Sequence, residues 1–179
     1  WRMDVGNTLT GSRKDNWDTA TNILRDIRPY LKEVSENILF LSEHADANQL
    51  TDGILDSKWN YAFQKAVLSW CQNTSNASIL ASALSDAVFS SYTRNVSNSL
   101  YNFLTTHDTK SFYEEIGYDK VSYLSAYLLM MTYVGSPCIY FGEETGQGAT
   151  KLTDLGTMTN GFYTSMNWDA SSYDYDVYN

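Results

Sequence analysis

Cysteine, proline and histidine each occur only twice among the 179 residues. Two cysteines, Cys71 and Cys138, cannot build a disulfide framework, and their apolar neighbours suggest buried free thiols. Two histidines, His44 and His107, are thin support for a catalytic zinc site, so the His44-Ala45-Asp46 stretch is set aside and no metal ligand is assigned. Positive charge is also scarce: 12 Lys and Arg face 21 Asp and Glu, for a formal charge of −9. That balance argues against nucleic acid as a partner. The longest apolar stretch, residues 121–134, is interrupted by Ser122, Ser125 and Thr132. It falls short of the ~20 residues that span a bilayer, so no membrane partner is expected. Gly142, Gly146 and Gly148 do not complete a dinucleotide-binding turn. What is abundant is apolar and aromatic character, 43% and 15% of the chain. This is ample for a packed core and excludes intrinsic disorder.

Helix and strand patterns alternate along the chain. Residues 1–5 read as a strand end. Asp15 or Asn16 can cap a helix from Trp17, in which Ala20, Ile23, Leu24, Ile27, Leu31 and Val34 form one apolar face and Pro29 predicts a kink or split. Residues 38–41 read as a buried strand, 54–59 as a weaker one, and 61–71 and 78–92 as helices. Residues 100–105 form another strand. Asp119 caps a helix over 121–133 whose apolar residues run all round it, predicting thorough burial. Residues 138–141 follow as a strand. Parallel β/α units result, fitting part of a β/α barrel or of an open doubly wound sheet. A complete (β/α)8 barrel needs ~250 residues.

In such architectures catalytic side chains gather after the C-terminal ends of strands. Three carboxylates stand there: Asp4, Glu43 and Asp108. Such a trio suits glycosidic bond cleavage, with one nucleophile, one proton donor and one group that stabilises positive charge on the sugar ring. Arg2 precedes Asp4 by two residues and so shares its strand face. Any one carboxylate at a strand end can equally be a helix cap or a solvated loop residue. Trp59, Tyr61, Phe63 and the tyrosine-rich tail are read as packing residues rather than sugar platforms. Sequons at Asn73, Asn76 and Asn95 leave glycosylation open.

The letters around these carboxylates carry a resemblance. Trp1-Arg2-Met3-Asp4-Val5 resembles the nucleophile motif of the α-amylase superfamily, glycoside hydrolase family 13, with Asn7 closest to its neopullulanase and maltogenic amylase subgroups. Leu41-Ser42-Glu43 is similar to the general-acid motif, and Thr106-His107-Asp108-Thr109 to that of the third carboxylate. Asp56-Ser57-Lys58-Trp59-Asn60-Tyr61 resembles the sixth-strand segment. The run from Ser136 to Glu144 resembles the last-strand segment, and Met166-Asn167-Trp168-Asp169 a stretch beyond it. The matches keep the family's order over nearly the whole chain.

The resemblance implies an α/β fold, a partial (β/α)8 TIM barrel holding about strands 4 to 8. It implies Asp4 as nucleophile, Glu43 as general acid and base, and Asp108 as the residue that binds and distorts the sugar. Arg2 would position Asp4, and His107 would hold a sugar hydroxyl. The implied partner is an α-1,4-linked glucan, cleaved with retention. No cofactor is required; structural calcium stays open, since many relatives bind it with ligands that often come from segments without a counterpart here. Ser42 for Gly, His44 for an aliphatic residue, Thr106 for Asn and Ser111 for Arg depart from the family pattern without removing a carboxylate. The family's Asp-x-x-x-Asn-His segment and its first three strands also lack counterparts. Residues 1–179 are therefore expected to be the C-terminal portion of a barrel, inactive and prone to aggregate alone because strand edges lie open. Transglycosylation, or a catalytically silent sugar- or protein-binding homologue, are the competing readings. Extracellular action is preferred over cytoplasmic action on short maltodextrins.

Overall fold

The helices form close to where the apolar pattern places them, whereas the strand expected over 38–41 is displaced to Leu41–Ser42. The structure is a computed structural model that describes residues 1–4, 17–45, 49–50, 52–89, 100–147, 166 and 168–172. In chain order the elements are β1 (Arg2–Met3), α1 (Trp17–Val34), β2 (Leu41–Ser42), β3 (Ser57–Trp59), α2 (Tyr61–Cys71), α3 (Ala77–Phe89), β4 (Leu100–Phe103), α4 (Phe112–Glu115), α5 (Lys120–Thr132) and β5 (Ser136–Cys138). The strands form one sheet in sequence order, β1-β2-β3-β4-β5. The β1–β2, β2–β3 and β3–β4 ladders are parallel, with α1 in the first crossover and α2 and α3 in the third. The proposed caps Asp15 and Asn16 lie outside the described residues. Among those residues, no helix is long and apolar enough to cross a membrane.

Contacts divide the chain into two compact units. The first comprises Trp1–Asn60, Ser85–Tyr101 and Val134–Ser136. Its core is Leu24, Phe40, Leu50, Ile54, Leu55 and Leu100, with Met3, Ile27 and Leu31 packed against it. Helix α1 supplies the apolar stripe and runs unbroken through Pro29, contrary to the expected split. Pro29 is exposed, so the Arg25 carbonyl that loses its helical partner there can turn to water.

Asp56 ties this unit together. It accepts from Arg28 Nη2 at 2.6 Å, Lys32 Nζ at 3.0 Å and the Phe40 N–H at 2.8 Å, joining α1 to the strand entrances. Burial pushes its carboxyl up, but hydrogen bonds from Arg28, Phe40 and Lys32 and the Arg28 charge outweigh this and hold it below the ordinary value. A group held low contributes stability above its unfolded pKa and loses it as pH falls through its folded one. Asp56→Asn should therefore destabilise the fold by about 1–3 kcal/mol at neutral pH. In denaturant titrations that deficit should shrink below about pH 4; a deficit constant down to pH 2 would refute the electrostatic account.

The second unit comprises Tyr61–Leu84, Asn102–Tyr133 and Pro137–Asn179. Its core joins Phe63, Val67 and Cys71 of α2 to Leu80, Leu104, Phe112, Tyr113, Tyr123, Ala126 and Met130. Stacked Tyr113–Tyr123 and Phe63–Tyr133 rings lie 4.6 and 5.2 Å apart. Burial, with the Asp119 charge, pushes the Cys71 thiol up to about 11; it is inert packing. Cys138 is only half-buried.

Asp119 caps α5 as expected, accepting from the Val121 N–H at 3.1 Å. Thorough burial of α5 does not follow. Tyr123, Ala126 and Met130 are buried, whereas Val121, Leu124, Leu128 and Met131 lie exposed at three- and four-residue spacing. The final strand also differs: it covers Ser136–Cys138 rather than 138–141. As the end strand of the sheet it tolerates Pro137, which has no N–H to give a ladder.

Candidate active site

Register explains which side chains meet in the first unit. Arg2 aligns with Leu41, and Leu41 with Ser57; Met3 aligns with Ser42, and Ser42 with Lys58. One residue further on, the same register aligns Asp4, Glu43 and Trp59. Because side chains alternate between faces, Arg2, Asp4, Glu43 and Trp59 share one face. Met3 points the other way, into the core beneath.

Arg2 is the hub of that face. Its Nη1 donates to Asp4 Oδ1 at 2.8 Å, and its Nη2 lies 3.2 Å from Glu43 Oε2. The guanidinium carbon sits 4.2 Å from the Trp59 ring centroid. Asp4 is open, its side chain 67% exposed, whereas that of Glu43 is 10% exposed. On its other oxygen Glu43 meets His44, with Nε2 3.8 Å from Oε1. Ser42 is fully buried. Its hydroxyl lies 2.6 Å from the His44 carbonyl and 3.4 Å from that of Met3. The departure from Gly thus fastens the two strand ends that carry Asp4 and Glu43.

His107 and Asp108 belong to the second unit and pair with each other, Nε2 to Oδ2, at 3.2 Å. Threonines shape their turn. The Thr106 Oγ1 accepts the Asp108 N–H at 3.2 Å, and Thr109 Oγ1 accepts the Thr106 N–H at 2.9 Å. Thr105 Oγ1 accepts the Phe112 N–H at 3.0 Å. Thr106 here makes the local bond that short polar side chains make in turns, so it can stand where the family pattern has Asn.

Glu143, beyond β5, is buried in the second unit at 3% exposure. Burial pushes its carboxyl up to about 7 against the opposing pull of Thr105, the Tyr140 N–H and the Tyr127 hydroxyl. Burial first, then the Glu143 charge, pushes the Tyr123 and Tyr127 hydroxyls upward. Sequence reasoning missed the Trp59–Arg2 contact, the Ser42 link and the burial of Glu143. For Trp59 the sequence held no sufficient signal, because the register that brings it to Arg2 is set by the sheet. Phe63 is fully buried, in line with a packing role. Among the described residues no three His, Cys, Asp or Glu side chains gather to hold a metal ion.

Residues 1–176 match the family model for the alpha amylase catalytic domain. The chain is 27% identical over 180 residues to a cyclomaltodextrinase of a Bacillus species, covering 99% of this chain and 29% of that protein. It is 30% identical over 154 residues to neopullulanase 2 of Thermoactinomyces vulgaris, covering 84% and 24%. These relatives bear out the neopullulanase-type resemblance. Among solved structures, the cyclic α-maltosyl-(1→6)-maltose hydrolase of Arthrobacter globiformis in complex with maltose superposes with a TM-score of 0.79 at 23% identity, over 99% of this chain and 37% of that one. A cyclomaltodextrinase gives 0.75 at 26% identity, over 88% and 26%. The fold is thus part of the barrel these enzymes share, as expected. The chain spans less than a third of the length of the two curated relatives named.

Proposed function

The chain belongs to the α-amylase catalytic-domain family, and on that premise we propose that the protein carrying it is a retaining glycoside hydrolase. Its substrates are α-1,4-glucosidic bonds in starch, maltodextrins or related α-glucans, and residues 1–179 supply the C-terminal portion of its barrel. The observation that carries this reading is the single guanidinium of Arg2 touching both Asp4 and Glu43. A shared guanidinium favours the short carboxyl separation of a retaining pair, about 5–5.5 Å, over the wider gap that admits an inverting enzyme's water.

The exposed Asp4 attacks the anomeric carbon, and its electron pair forms the glycosyl–enzyme ester. Glu43, shielded from solvent, donates its proton to the departing glycosidic oxygen and then takes one from the water that hydrolyses the ester. The family resemblance gives His107 and Asp108, paired within the second unit, the role of holding sugar. No feature of the described residues favours transfer to a sugar acceptor over transfer to water.

Stereochemistry tests this directly. Maltose freshly released from maltotriose should appear first as the α-anomer by proton NMR and mutarotate afterwards. Initial β-anomer would mean inversion and would sink the reading.

A further inference from the structure

We propose that Trp59 is a positioning residue, holding the plane of Arg2 so that one guanidinium serves Asp4 and Glu43 together; the inference rests on the hydrolase reading above. A guanidinium is fixed in orientation by directional hydrogen bonds or by a flat surface. Arg2 has one strong directional bond, from Nη1 to Asp4 at 2.8 Å. Its Nη2 approaches Glu43 at 3.2 Å without hydrogen-bond geometry, and its buried Nε has no hydrogen-bond partner among the described residues. One bond leaves the head free to swivel about that axis. The indole face of Trp59, 4.2 Å from the guanidinium carbon, removes that freedom by stacking and by cation–π attraction.

The sheet makes this contact available. Trp59 stands two strands from Arg2, about 9.6 Å at normal strand spacing, which two long side chains span over the intervening strand. With its face against Arg2, the ring acts on catalysis through the arginine and not as a platform for sugar. Swivelling Arg2 would misplace both carboxylates by fractions of an ångström, which costs rate more than substrate affinity.

The test uses the whole protein that carries this chain, with maltotriose as substrate. Trp59→Leu keeps an apolar side chain but removes the flat face. It should lower kcat at least tenfold and leave KM within twofold. Trp59→Phe keeps a face and should lose less than threefold. In an Arg2→Lys background, where no planar head remains, Trp59→Leu should cost less than a further twofold. Three results would each overturn the proposal: a raised KM at unchanged kcat, an equal loss in the Arg2→Lys background, or Trp59→Phe as damaged as Trp59→Leu. Should neither the wild type nor Asp4→Asn release sugar, the hydrolase reading fails instead. Non-additivity of Arg2→Lys and Trp59→Leu in the denaturation midpoint then keeps the contact, and strict additivity removes it.

Discussion

Asp4→Asn in the whole protein should cut reducing-sugar release from maltooligosaccharides by at least about a thousandfold, roughly 4 kcal/mol in the barrier. The substitution is nearly isosteric, and its amide oxygen can still accept from Arg2 Nη1, which lies 2.8 Å from Asp4 Oδ1. What disappears is the anion that forms the ester to the anomeric carbon. Asp4 is well exposed, with no part in either apolar core, so the denaturation midpoint should shift little. A loss of rate without a loss of stability is thus the signature of a nucleophile. If neither wild type nor variant releases sugar while both bind maltooligosaccharide, the protein is a silent binding homologue. If both release it at similar rates, Asp4 is not the nucleophile and the residue roles must be redrawn.

Glu43 was legible because it follows an apolar run that stops abruptly, and Asp4 and Arg2 because Trp1-Arg2-Met3-Asp4-Val5 resembles the family's nucleophile motif. Arg2 and Asp4 needed only the two-residue alternation of a strand to share a face. Trp59 was different: its meeting with Arg2 depends on the register of three strands, and a strand of two or three residues carries too few letters to declare its register. Pro29 misled because a proline interrupts a helix only where the orphaned carbonyl cannot find another partner, and its exposure is a tertiary fact. Residues 139–141 read as strand from β propensity alone, yet the ladder takes the three residues before them, and Ile139 and Phe141 remain exposed. The helix over Lys120–Thr132 shows the same limit in reverse, since an apolar circumference does not say which side finds a partner. Glu143 was the least legible. A Gly-Glu-Glu sequence reads as a solvated loop, and only the fold places its middle residue inside.

Glu143→Gln should stabilise the protein at pH 8 and do nothing useful at pH 4. The Glu143 carboxylate is 3% exposed. Its Oε2 accepts from the Tyr127 hydroxyl and the Tyr140 N–H, each at 3.0 Å, while Oε1 makes no hydrogen bond of normal geometry among the described residues. These donors, with Thr105 beside them, do not replace the water an ionised carboxylate loses, so burial raises the folded-state pKa to about 7 from an ordinary 4.5. The sign follows from linkage. Below pH 4.5 folded and unfolded chains both hold the proton and nothing is lost. Between 4.5 and 7 the unfolded chain releases it first, so the folded state loses ground steadily. Above 7 the deficit levels off at about 3 kcal/mol. Glutamine carries no such charge, and its amide oxygen can accept both Oε2 bonds. The variant's denaturation midpoint relative to wild type should therefore rise through pH 4.5–7 and then stay flat, by several degrees for a domain of this size. A difference independent of pH would mean that Glu143 stays ionised without penalty, and the buried charge would need a partner not yet identified.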